Sequence, residues 1–146
     1  MAQLRTLVAC GLTLFASEAA AAKPITDLPK ALAVAKAQDK PIFIYVFDSV
    51  CGRHCRVLEQ NPNANRAFAK LAKRFVIAHL DTKNGRAPFV KKLKVQRNQT
   101  YLLVLGPDGQ EMGRLTTPLT LEEIIVFLQM TVPPPDPSTL PAKASQ

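Results

Sequence analysis

The sequence predicts an α/β domain in which short strands alternate with helices, and three observations carry that expectation. Three mostly apolar runs, Ile42 to Phe47, Phe75 to Leu80 and Thr100 to Leu105, are each about six residues long and rich in β-branched and aromatic side chains, as strands are. The stretches around them have helical spacing and helix-start signals. The chain of 146 residues, 47% hydrophobic, suffices for one domain with its own core and no more, so a single functional site is sought.

Residues 1–22 read as an export signal. Arg5 stands near the start, an apolar run follows from Thr6 to Ala16, and small residues from Ala19 to Ala22 form a cleavage zone. The apolar run is about half the roughly 20 residues that a membrane-spanning helix needs. Cleavage there removes Cys10 and leaves two cysteines in an exported chain. The expected location is the bacterial periplasm, where a dithiol can cycle or stay bridged. Residues 23–132 are then the folded domain. Residues 133–146, rich in Pro, Ser and Ala, are expected to be a disordered or extended tail.

Within the domain, Asp27 can cap a helix over Leu28 to Gln38, which has Pro29 in its first turn and many Ala, Leu and Lys. Ile42 to Phe47 is a continuous apolar run of the kind covered on both faces, so it is expected to be a central strand. A helix beginning near Cys51 follows, broken at Asn61-Pro62-Asn63. The piece Ala64 to Lys73 then places Ala67, Phe68 and Leu71 on one side and Arg66, Lys70 and Lys73 on the other. The strand Phe75 to Leu80 leads through a loop, marked by Asn84-Gly85 and Pro88, to a short helix around Phe89 to Leu93. Gly106-Pro107-Asp108-Gly109 is a turn signal, so Thr100 to Leu105 and Gln110 to Leu115 should form an antiparallel hairpin. Thr120 with Glu123 has capping-box spacing and opens a last helix, whose buried face is Ile124, Ile125, Phe127 and Leu128.

The formal charge is +8. Removing Arg5 and Glu18 with the leader leaves it unchanged. The excess concentrates between Arg66 and Arg97, where Arg66, Lys70, Lys73, Arg74, Lys83, Arg86, Lys91, Lys92, Lys94 and Arg97 face only Asp81. Such a basic face can attract an acidic protein or an anionic membrane surface, or simply be solvated. Nucleic acid is not expected as a partner, given export and few aromatics with no Trp. No Ser-His-Asp set, glycine-rich phosphate loop or paired-carboxylate motif offers a competing enzyme class.

The chemistry falls on Cys51-Gly52-Arg53-His54-Cys55. A cysteine delivered by a strand to the first turn of the following helix meets unpaired backbone amides and the positive end of the helix dipole. Both favour thiolate, the reactive form. A separation of four residues puts the sulfurs about one helical turn apart, near enough to bridge if the turn adjusts. Cys51 is then the exposed nucleophile and Cys55 the resolving partner. Arg53 and His54 add positive charge, which lowers the nucleophile's pKa and makes the disulfide more oxidising. A static staple is the plainer alternative. A bridge closing so short a loop constrains the unfolded chain little, which favours exchange or metal binding.

From Lys40 to Phe47, through the cysteine motif, Phe75 to Asp81, Val95 and Tyr101 to Gly109, the chain resembles the exported thioredoxin-like proteins over about residues 28 to 130. The resemblance implies a three-layer fold with a central mixed sheet of about four strands flanked by helices. It implies a thiol-disulfide oxidoreductase that needs no cofactor, with Cys51 attacking, Cys55 resolving, protein thiols or disulfides as substrates, and a redox partner that recharges the pair. His54 is similar to the histidine that precedes the second cysteine in a strongly oxidising periplasmic member. Gln99 and Thr100 stand at the substrate-binding edge. The family commonly has a cis-proline there, whereas a trans bond is expected here, because a cis bond before a non-proline costs about 2.5–4 kcal/mol. The spacer between the cysteines has three residues where the family usually has two. Tyr45 occupies the strand position of thioredoxin's buried Asp, with Asp48 nearer the motif in the loop. The spacer and a histidine also resemble copper-delivery proteins of the same fold. In that alternative Cys51, Cys55 and His54 bind Cu(I), a soft-ligand set. His79 is a further candidate third ligand, although its apolar strand favours a plain sheet histidine. A third reading is a non-catalytic thioredoxin-fold binding module.

Overall fold

The protein was analysed as a computed structural model, which describes residues 23–48, 65–118 and 120–134. The leader, the cysteine segment and the tail beyond residue 134 lie outside the described residues.

Helix α1, Leu28–Gln38, begins where Asp27 Oδ2 accepts from the Lys30 backbone N–H at 3.1 Å. It ends at Asp39, whose left-handed backbone (φ 50) turns the chain into strand β1, Ile42–Phe47. Past the cysteine segment come α2 (Arg66–Ala72), β2 (Val76–Asp81), the single-turn α3 (Phe89–Lys92), β3 (Tyr101–Leu105), β4 (Glu111–Thr116) and α4 (Leu121–Thr131). The sheet order is β2-β1-β3-β4. β1 runs parallel to β2 with Ile42 beside Val76 and Phe47 beside Asp81, and antiparallel to β3 with Val46 opposite Tyr101. The expected four-stranded mixed sheet is therefore present.

Continuous apolar sequence makes β1 and β3 interior strands, because every side chain there meets a covering layer. α1 covers one face, where Leu28, Ala31 and Ala35 pack with Ile42, Ile44, Val46, Leu80, Leu103 and Leu105. Leu93 and Val95 extend that layer. α2 and α4 cover the other face, bringing Phe68, Leu71, Ile124 and Leu128 onto Phe43, Tyr45, Leu102 and Val104. Phe43 sits edge-on to Phe68 and Phe75, with ring centroids 6.4 Å away in both cases. Burying one such side chain contributes about 1.5–3 kcal/mol. β2 alternates instead, its Ile77, His79 and Asp81 half-buried, because it lies at the sheet's rim. Part of that rim is closed by Ile25, which accepts from His79 N–H and donates to the Ile77 carbonyl at 2.9 Å in each case.

Two local readings shift. The second helix starts at Arg66, because the Asn65 side chain accepts from the backbone N–H groups of Ala67 and Phe68 and so becomes the cap. That places Ala67 in an exposed first turn instead of on the inner side. In α4 the Thr120–Glu123 capping box forms, and only Ile124 and Leu128 are fully buried, with Ile125 and Phe127 at the margin. The hairpin turn closes through Gly109, in left-handed backbone (φ 82), as its N–H donates to the Gly106 carbonyl at 2.9 Å. Pro133, the first residue of the expected tail, accepts from Arg74 Nη2 at 2.6 Å.

Candidate functional site

The chain leaves β1 through Phe47 and Asp48, so the segment with Cys51, Arg53, His54 and Cys55 departs from the carboxyl end of an interior strand. Those four residues lie outside the described residues, and the strand ends around Asp48 form the platform from which they depart. Three residues of chain reach at most about 11 Å, so covalent connectivity ties Cys51 to this end of the sheet.

Parallel β2 finishes and antiparallel β3 begins at the same end. Among the described residues three polar side chains are buried, and all three are here: Asp48 (1% exposed), Thr82 (0%) and Thr100 (1%). Each immediately follows or precedes a strand. Thr82 N–H donates to the Phe47 carbonyl at 2.9 Å, and the Thr82 carbonyl accepts from Ala87 at 3.0 Å. The Thr82 hydroxyl has no hydrogen-bond partner among the described residues. A buried, unpaired hydroxyl costs about 1–3 kcal/mol, so this end of the sheet is not optimised for stability alone. Asp48 does follow the strand, as expected for a loop position, but it is buried, which its type and place in the sequence do not suggest.

Gln99 and Thr100, the residues expected at the substrate edge, are part of the same platform. Among the described residues there is no cis peptide bond, so the Asn98–Gln99 bond, which leads into the proline's place, is trans as expected. Gln99 Oε1 accepts from the Tyr101 hydroxyl at 2.7 Å, and that hydroxyl accepts from Gln96 N–H at 3.1 Å. The Thr100 carbonyl accepts from Thr117 at 2.7 Å. Arg114 on β4 then locks the connection before β3. Its guanidinium lies 5.5 Å from the Tyr101 ring centroid and donates to the Leu93 carbonyl at 2.6 Å and the Lys94 carbonyl at 3.3 Å. It also makes a two-pronged pair with Glu111, at 2.9 and 2.8 Å. The hydrogen bond from Arg114 holds the Glu111 carboxyl below its ordinary pKa, and the same bond raises that of Arg114. Sequence reading did not find Tyr101 and Arg114 as organisers of this edge. Arg114 is 21 residues from Leu93, and no local motif signals that contact.

His79 stands beside Tyr45 across β1 and β2, its ring edge-on at 5.5 Å and 74°. Burial holds its pKa below the ordinary histidine value, which favours the neutral imidazole. It occupies the place of a sheet histidine. No group of three His, Cys, Asp or Glu side chains comes together among the described residues. The Cu(I) expectation rests on Cys51, Cys55 and His54, which fall outside them.

The basic segment is not one face. β2 runs through its middle and carries the chain from one end of the sheet to the other. Lys73 and Arg74 lie at the amino end, where Lys40 Nζ donates to the Lys73 carbonyl at 3.5 Å and Val76 N–H to the Pro41 carbonyl at 2.9 Å. Lys83 and Arg86 lie just past β2 at the other end, in a turn closed by the Arg86 N–H to Lys83 carbonyl bond at 3.2 Å. No helix among the described residues is long and apolar enough to cross a membrane.

Comparison with known proteins agrees with this architecture. Three solved structures share the fold. A putative disulphide-isomerase from Bacteroides thetaiotaomicron is 24% identical with a TM-score of 0.59, covering 77% of this chain and 96% of its own. The oxidised carboxyl-terminal domain of Neisseria meningitidis DsbD is 16% identical with a TM-score of 0.55, covering 75% and 99%. A disulphide isomerase from Xylella fastidiosa Temecula1 is 22% identical with a TM-score of 0.51, covering 70% and 86%. At these identities the likeness speaks for the fold. No curated protein matches the chain. The sequence profile of the family described as Thioredoxin-like matches residues 23–104, more than half of the chain, from the start of the folded domain through β1, β2 and most of β3. With the four-stranded mixed sheet and its two helical layers already in place, that match settles the relationship: this chain belongs to the Thioredoxin-like family.

Proposed function

We propose that this protein is a thiol-disulfide oxidoreductase that acts through Cys51 and Cys55 on the thiols or disulfides of exported proteins in the bacterial periplasm. The observation that carries the reading is the convergence of Asp48, Thr82 and Thr100, all buried, on the sheet end where the chain enters the cysteine segment. Buried polar groups gathered at strand ends beside a dithiol are what a reactive site requires and a mere staple does not. The names of structural neighbours, two of them disulphide isomerases and one the DsbD domain in its oxidised form, support the same class. Export is supported by the charged start, apolar run and small-residue zone of residues 1–22.

In the reducing direction the Cys51 thiolate attacks one sulfur of a substrate disulfide. An S–S bond forms between Cys51 and the substrate, and the other substrate sulfur leaves as thiolate. The Cys55 thiolate then attacks the Cys51 sulfur, which releases the second substrate thiolate. The protein's two thiols end as one disulfide and the substrate's disulfide as two thiols, a two-electron exchange that runs backwards when the protein starts oxidised. Arg53 and His54 supply positive charge that favours thiolate at Cys51. Gln99 and Thr100 form the edge that receives the substrate chain.

Cysteine replacement tests this. With a model disulfide, Cys51→Ser is expected to abolish exchange, whereas Cys55→Ser is expected to accumulate a mixed disulfide visible by mass spectrometry. Turnover of both variants at the parent's rate would exclude the reading.

A further inference from the structure

We infer that the substrate protein presents an acidic surface beside its reactive sulfur, and that Lys83, Arg86 and Arg97 of this chain meet it. The inference rests on the thiol-disulfide reading above and adds the chemistry of the partner. Thr82 is bonded to Phe47, the residue before Asp48, and the turn that follows it presents Lys83 and Arg86 to solvent. Arg97 joins them, because a Cβ on Gly85 would lie 2.7 Å from Arg97 Nε. Three exposed cations thus cluster where the chain departs toward Cys51. None of them makes an ion pair among the described residues. The whole connection from Thr82 to Thr100 contains no acidic residue.

Two features make this more than a solvated loop. Lys83 is held in left-handed backbone (φ 50), a conformation that costs a side-chain-bearing residue about 1–2 kcal/mol, between a carboxylate-capped turn and Asn84 and Gly85, which also have positive φ. A cation is kept where Gly or Asn would be unstrained. The cluster also sits at one end of the sheet, whereas Lys70 and Lys73 lie toward the other. A six-residue strand spans about 20 Å, and the Debye length at physiological salt is about 8 Å, so the two groups act separately. A protein surface fits better than a membrane. Among the described residues the exposed large apolar side chains, Met112, Val126 and Met130, are on β4 and α4, and the large apolar residues of the basic connection, Phe89, Val90, Leu93 and Val95, join or pack against the core instead of standing free to enter lipid.

The test uses two peptides that share one cysteine, blocked as a mixed disulfide with thionitrobenzoate, and are flanked by glutamates in one and lysines in the other. Cys51 attack releases coloured thionitrobenzoate, and Cys55 then releases the peptide thiol. The reduced parent is expected to react with the acidic peptide at least about tenfold faster than with the basic one at low ionic strength, and the ratio should collapse at high salt. Lys83→Glu with Arg86→Glu is expected to abolish or invert the ratio, and the milder Lys83→Gln with Arg86→Gln to lower it. Lys70→Glu with Lys73→Glu, an equal change of net charge, should leave it intact. Equal rates with both peptides overturn the inference alone, and sedimentation with phosphatidylglycerol vesicles would then identify a membrane as what these cations meet. An equal loss of the ratio in the Lys70 and Lys73 variant also overturns it. If neither peptide reacts with a parent carrying two free thiols, the thiol-disulfide reading fails and takes the inference with it.

Discussion

The two ends of the central sheet are built to different rules. At the amino end of β1 and β2, Ile42, Phe75 and Val76 are buried, and the Val76 N–H finds the Pro41 carbonyl. At the carboxyl end, Asp48, Thr82 and Thr100 are buried, and Lys83, Asn84 and Gly85 take left-handed backbone immediately afterwards. The amino end follows hydrophobic burial. The carboxyl end accepts polar burial and a run of three left-handed residues, against Asp39, which closes α1 at the amino end, and such costs persist where a site requires them. The difference sets this end of the sheet apart without reference to the cysteines, and Cys51 follows three residues of chain beyond Asp48.

Breaking the polar end at Asp48 should have the largest effect on the comparison. Asp48 is buried and engaged by a partner, so Asp48→Ala leaves that partner uncompensated and is expected to cost about 1–3 kcal/mol in urea unfolding. The same variant should slow exchange at Cys51. A substitution of the exposed Lys70, outside this end, should do neither.

Thr82→Val gives a second, opposite effect. It removes a buried hydroxyl without a partner among the described residues and is expected to raise stability by about 1 kcal/mol, read as a higher Tm. Gain at a buried polar position is the signature of a site held against its own stability.

The smallest effect concerns pH. Burial holds the His79 pKa below its ordinary 6.5, so below that pH the unfolded chain binds the proton more readily than the folded one. The stability contributed by the neutral imidazole is therefore fully present above about pH 6.5 and is lost as pH falls from there toward the lower folded pKa. His79→Gln should flatten that part of the curve of unfolding free energy against pH.

Much of the fold was legible because its signals are local. The unbroken run Ile42 to Phe47 is β1 residue for residue, and the Asp27 and Thr120 caps start α1 and α4 where their spacing indicates. Asn65 was missed as a cap because Asn63, just before Ala64, qualifies equally by residue type until the side-chain bond from Ala67 to Asn65 is seen. The site was less legible. The burial of Asp48 and Thr82 depends on neighbouring strands that sequence spacing does not bring together, and Arg114 reaches Leu93 across the sheet. The basic run from Arg66 to Arg97 looked continuous because a sequence does not show that β2 carries its two halves to opposite ends. The cysteine pair was evident in the sequence, and its chemistry remains the claim on which the rest depends.

The reduction potential of the Cys51–Cys55 couple, measured by equilibration with glutathione, tests that claim most directly. The account predicts a reversible two-electron couple between about −270 and −120 mV, within the span from thioredoxin to the strong periplasmic oxidants. A bridge that resists glutathione, with a potential below about −300 mV, would be a structural staple and would contradict it.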